Sequence, residues 1–217
     1  MSNEAPAMTY DSLIQNIIAY SERNDNDGAF TFINNVPTFV FLAEKKIAAD
    51  FKTLWQLNSA TTDVAANTGA IGAPITLPAR WRKMVSVGVQ GVVTLTERTK
   101  EYIDLVNVKF PASTPEHWAL WDYNNITIAP LSTTKITLQM IYWEQATPLS
   151  PDRQENLITR EAPQLLLAGS LLQAAYFLKD AEKMQYWQQM YQDATQALKA
   201  EDAARVLDRN TTPVQGA

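Results

Sequence analysis

Read from the N-terminus, the chain changes its hydrophobic period twice. In residues 9–21, Tyr10, Leu13, Ile14, Ile17 and Ile18 recur at the spacing of one helical stripe, and Thr9 stands where an N-cap hydroxyl belongs. The polar run Glu22–Gly28 separates this stripe from a second one-sided pattern with Phe41, Leu42, Ile47, Phe51, Leu54 and Trp55. Because proline is favoured at the first helical position, Pro37-Thr38 predicts a helix start, and the pattern carries it to about Leu57.

From Ser59 to Thr147 the period falls to two. Val85–Val89, Val92–Thr96, Ile126–Ile128 and Lys135–Trp143 are β-branched runs bounded by turn residues, the pattern of half-buried strands. Asn124-Asn125 predicts a hairpin turn, since Asn accepts positive φ. Several strands in about 90 residues predict a small antiparallel β-sandwich or barrel.

The last third returns to the helical period. Residues 152–159 form a short amphipathic piece, and Arg160-Glu-Ala-Pro163 predicts a helix start with Pro in the first turn. Leu165–Leu178 is apolar on nearly every face, which requires protein around it. After a turn at Lys179-Asp180, Met184, Trp187, Tyr191, Ala194 and Leu198 step by 3, 4, 3 and 4 along a helix reaching about Leu207. Such a seam packs on another helix, here read as the preceding one in an antiparallel pair rather than as a partner surface. The tail beyond lacks periodicity and is expected to be mobile in the isolated protein, either frayed or ordering on binding. The expected class is α+β: an α-helical bundle from residues 1–58 and 148–207, an inserted small antiparallel β-sandwich or barrel at 59–147, and a flexible C-terminal tail at 208–217.

Composition narrows the chemistry. The 217 residues include no Cys and one His, which removes thiolate nucleophiles, Cys-based metal sites and multi-His metal sites within one chain. No catalytic residue, metal site or cofactor is expected. With 18 Lys+Arg against 23 Asp+Glu the net charge is −5, divided as −4, +1, 0 and −2 over residues 1–37, 38–58, 59–147 and 148–217. No block is basic enough to grip nucleic acid, although DNA can pass such a surface. No secretory signal and no membrane-spanning run is read, so the protein is expected to stay in the cytoplasm where it is made, with no membrane partner.

Three clusters could carry chemistry. His117 with Glu116 and Asp122 can be read as an acid/base group, against a strand-edge His. Arg80-Trp-Arg-Lys83 interleaves an aromatic with basic residues, as single-strand binders do; the alternative is a strand start whose Trp81 packs inward while Arg80, Arg82 and Lys83 make ion pairs or contacts between subunits. Trp118, Trp121 and Trp143 would serve as stacking platforms if the β-domain were a binding module, for example for a host glycan.

Three stretches carry a family resemblance: Met8–Tyr20 with Phe41–Ile47; Leu77-Pro-Ala-Arg-Trp-Arg-Lys83; and Ala162–Leu167 with Phe177-Leu-Lys179 and the helix after it. Together these resemble the head-to-tail adaptors, or head completion and upper tail-tube proteins, of short-tailed bacteriophages. The resemblance implies a structural virion protein at the head–tail junction, a cyclic homo-oligomer, by resemblance a dodecamer, docked under the portal protein. The inserted β-domain would meet tail components such as the tail nozzle or tail tube and fibre proteins, and genomic DNA would pass through the channel without sequence-specific binding. By position, portal contact falls on Ala204, Arg205, Val206, Leu207, Asp208, Arg209 and Val214. Residues 22–36 are longer than the resemblance leads one to expect between the first two helices.

Overall fold

A computed structural model of the protein describes residues 8–22, 31–66 and 72–210. The chain divides into two compact units, Met1–Gln56 with Ala146–Ala217, and Leu57–Gln145.

The first unit is helical. Helix α1 (Tyr10–Ser21) begins with a reciprocal cap, Thr9 Oγ1 accepting from Ser12 N–H at 3.2 Å and Ser12 Oγ from Thr9 N–H at 2.9 Å. Its stripe buries Tyr10, Leu13 and Ile17. Helix α2 (Phe32–Asp50) starts five residues before the expected Pro37, which sits inside it. Phe32, Val36, Phe39, Val40, Ala43 and Ile47 form one buried stripe, and burying Phe32 and Val36 offsets the roughly 3 kcal/mol that an interior proline costs. The loop expected at 22–36 therefore ends at Thr31, and its residues 23–30 lie outside the described residues. At the other end α2 stops at Asp50, not near Leu57; Phe51 is extended, and Leu54–Gln56 form a 3₁₀ turn.

After the inserted unit, α4 (Leu157–Glu161) is capped by Asn156, whose Oδ1 accepts from Ile158 and Thr159 N–H. Helix α5 (Pro163–Leu178) has Pro at its first position, and Lys179 ends it in the left-handed region at φ 55°. Leu165, Leu166, Leu171, Leu172, Ala174 and Ala175 are buried. Helix α6 (Ala181–Asn210) turns back on α5 and lays Trp187, Tyr191, Ala194 and Leu198 on the core. It runs three residues past Leu207, so the segment expected as tail from 208 begins as helix; residues 211–217 lie outside the described residues. Gly169 marks a close approach of α5 to α2 and α6: a Cβ there would stand 3.3 Å from both Ala43 Cβ and a Tyr191 ring carbon.

The second unit holds a seven-stranded sheet, ordered β1-β7-β3-β4-β5-β6-β2. The strands are β1 (Leu57–Val64), β2 (Ile75–Thr76), β3 (Trp81–Val89), β4 (Val93–Glu97), β5 (His117–Leu120), β6 (Asn125–Ala129) and β7 (Ile136–Glu144). β4 turns the corner: Val93–Leu95 pair with β3, while Thr96 and Glu97 pair with β5. A strand shared in this way curls the sheet towards a barrel. The β4–β5 pair is parallel, unlike the others, and helix α3 (Lys100–Lys109), absent from the sequence reading, supplies the crossover that parallel strands need. Val87, Leu95, Trp118, Ile126, Ile128, Leu138, Met140 and Tyr142 fill the interior. The β5–β6 hairpin forms, yet none of its residues has positive φ. Its turn rests instead on the Asp122 carboxylate, which accepts from Asn124 N–H at 2.7 Å and from Asn125 Nδ2. Gly91 supplies the left-handed residue of the β3–β4 turn, at φ 72°.

Candidate docking surfaces

Helix length creates the first surface. α6 has 30 residues against 16 in its antiparallel neighbour α5, so at 1.5 Å per residue roughly 20 Å of it projects past the start of α5. Leu198 packs on the core, Lys199 lies over the Phe51 ring at 5.6 Å, and Glu201 still lines a cleft with residues 161–165. Ala204 and Arg205 are exposed, and Arg205 pairs with Glu201 one turn back at 2.6 Å. Val206, Leu207, Asp208 and Arg209 continue the helix, and Val214 lies outside the described residues.

The Arg80–Lys83 cluster splits. Arg80 has φ 62° and donates through both Nε, at 3.1 Å, and its terminal nitrogen to Glu144 Oε1. Trp81 packs against the β core with Tyr123 at 5.8 Å between ring centres, so it is no open stacking platform. Arg82 and Lys83 remain exposed on β3.

The proposed acid/base group does not assemble. His117 opens β5 between Thr96 and Ala129, and its Nε2 lies 3.4 Å from the Tyr102 hydroxyl. Asp122 is committed to its turn, and those hydrogen bonds hold its carboxyl below the usual range. The tryptophans do not form a platform either. Trp118 is 4% exposed within the β core, and Lys100 Nζ covers Trp121 at 4.3 Å; Trp143 is half-buried on β7. Among the described residues, no group of three His, Asp or Glu could hold a metal, and no helix is long and apolar enough to cross a membrane.

Sequence reasoning missed α3. Thr99 caps it and Lys100 pairs with Asp104 at 2.7 Å, while Ile103 and Val106 hold it to the sheet. Its outer side leaves Leu105 49% and Val108 74% exposed, and Phe110, extended just past its end, is 58% exposed. A threonine followed by a Lys–Asp pair four residues apart was the available signal, masked by the surrounding valines and isoleucines.

It also missed Glu44, on the buried stripe of α2 and itself buried. Its carboxylate accepts from Leu149 N–H and Asn156 Nδ2, and burial pushes its pKa up to about 7. A lone acid among Val40, Ala43 and Ile47 was the visible sign.

No curated protein shows significant similarity to the chain. The family model described as SU10 adaptor protein matches residues 8–215. That match spans both the helical unit and the inserted β unit, and the chain therefore belongs to the SU10 adaptor protein family of phage structural proteins.

Proposed function

We propose that the protein is a non-enzymatic head-to-tail adaptor: copies close into a ring beneath the portal protein, continue the channel for genomic DNA, and give the tail its attachment platform. Family membership over residues 8–215 is the observation that carries this reading. The dodecameric count comes from the family resemblance.

Three features support the parts. The projecting end of α6 suits portal docking through Ala204, Arg205, Val206, Leu207, Asp208 and Arg209, with Val214 beyond. A helix end that extends past its core contacts is accessible to a partner. The apolar outer side of α3 suits contact with a tail-tube, nozzle or fibre protein, since exposed apolar residues gathered on one helix mark interaction surfaces. The net charge of −5 suits a wall that repels passing phosphates. Arg82 and Lys83, exposed on a β unit whose Arg80 is already paired, are the basic half of a head-to-tail subunit contact, which in a ring joins two different patches.

Deleting residues 205–217 tests the portal assignment. The last core contacts precede the cut, so the truncated chain is expected to keep its far-ultraviolet circular dichroism and melting curve while losing portal binding. Binding retained by a folded truncation would sink the docking assignment. Electron microscopy of the full chain mixed with portal tests ring closure in the same preparation.

A further inference from the structure

Glu44 is 6% exposed, four residues after Val40 and three before Ile47 on the buried stripe of α2. Oε1 accepts from Leu149 N–H at 3.2 Å and from Asn156 Nδ2 at 2.6 Å, and Oε2 lies 3.3 Å from the same Leu149 nitrogen. These donors come from far along the chain, the segment 146–156 by which it re-enters the helical unit after β7.

Asn156 is a hub in that segment. Its Oδ1 caps α4, and its amide nitrogen also donates to Thr147 O at 2.8 Å. The segment reaches α1 as well: Gln154 O accepts from Tyr10 N–H at 2.7 Å, and its Oε1 from Asp11 N–H at 3.0 Å. One buried carboxylate on α2 thus anchors the centre of a strap that touches α1, α2 and α4.

A carboxylate placed so, with N–H donors and no cation paired to it among the described residues, pays for ionisation in lost hydration. Among the described residues, the charged or titratable groups that act on it are Lys45, its chain neighbour on α2 whose ammonium lies over the Phe41 ring at 5.3 Å, and Tyr10 of α1. Desolvation outweighs the Leu149 and Asn156 hydrogen bonds and the charge of Lys45.

We propose that Glu44 is a proton-operated clamp on the re-entry segment 146–156, closed while its carboxyl is neutral and more readily opened once it is ionised. The sign follows from linkage. The folded pKa of about 7 stands above the ordinary 4.5, so the stabilisation is full below about pH 4.5 and is lost as pH rises through 7. The proposal does not depend on the adaptor reading, since it concerns the helical unit alone.

Amide hydrogen exchange on the full chain, expressed as protection factors, tests it at the Leu149 amide. Shifting an opening that frees Glu44 between these two pKa values changes its population about tenfold from pH 6 to pH 8. The wild type is expected to lose about tenfold protection over that range, and Glu44→Gln none. Equal wild-type protection at both pH values, or the same loss in Glu44→Gln, would overturn the clamp. Should Glu44→Gln fail to fold, carbon-13 titration of the wild-type Glu44 carboxyl decides: a midpoint near 7 supports the clamp and one near 4.5 overturns it.

Discussion

The helical unit keeps its decisive polar groups inside, whereas the β unit keeps its own at the surface. In the helical unit Glu44, Asn156 and Thr159 are buried and bonded to one another or to nearby backbone, and the Tyr191 hydroxyl donates to Asp50 at 3.0 Å. Burial raises the pKa of Tyr191, as it does that of Glu44. In the β unit Lys135 meets Asp63 at 2.7 Å and Lys100 meets Asp104 in exposed or half-exposed pairs, and the exposed Arg80 reaches a largely covered Glu144. Surface pairs are screened by salt and buried carboxylates are not. The helical unit is therefore expected to answer to pH and the β unit to ionic strength.

The strongest way to break this contrast is to ask whether the units unfold apart. Leu166 is wholly inaccessible in the helical core, so Leu166→Ala is expected to cost that unit about 3 kcal/mol. Residue-resolved hydrogen exchange should show lost protection in α1, α2, α5 and α6, with β3 and β7 unchanged. Equal loss in both units would make them one cooperative block and dissolve the comparison.

The same contrast explains what could be read from sequence. α1, α5 and the α5–α6 pairing were legible because a buried stripe and its caps are local patterns: Thr9, Pro163 and the seam from Trp187 to Leu198 each announce themselves within a few residues. The start of α2 was misread because Pro37 is a helix-start signal locally, and only the burial of Phe32 and Val36 by distant chain overrides it. In the β unit the hydrophobic alternation revealed strands but not their order, since pairing β4 in parallel with β5 depends on α3. Trp118 and Trp121 looked alike in the sequence; the fold buries one and covers the other with Lys100. The site residues fared similarly. The projection of α6 follows from helix lengths that the pattern nearly supplies, while the exposed side of α3 required knowing that a helix was there.

A smaller effect sharpens the β half. Arg80 bonds a Glu144 side chain that is only 11% exposed and whose other oxygen accepts from Asn58 Nδ2 at 2.6 Å. Arg80→Ala should cost about 1 kcal/mol at low salt and less at high salt, read from denaturant unfolding of the β unit. Arg80→Gly should recover part of that loss, because glycine accepts the φ of 62° that a side chain resists. A penalty for Arg80→Ala that salt leaves unchanged would mean that the pair acts as a buried one.

The smallest expected effect on stability carries the largest expected effect on assembly. Leu105 and Val108 lie three residues apart on the outer side of α3, while Ile103 and Val106 do the packing. Leu105 is half-covered and Val108 largely exposed, so replacing both with Lys removes little buried area and should move stability by less than about 0.5 kcal/mol. If α3 meets a tail protein, two lysines in that contact must be desolvated without partners, and binding should fall by at least tenfold in a pull-down titration with portal binding intact. Loss of both portal and tail binding would point to a folding defect, which the melting curve would reveal. Tail binding unchanged in a folded double variant would remove α3 from the interface and leave its exposed apolar side as a feature of the isolated subunit only.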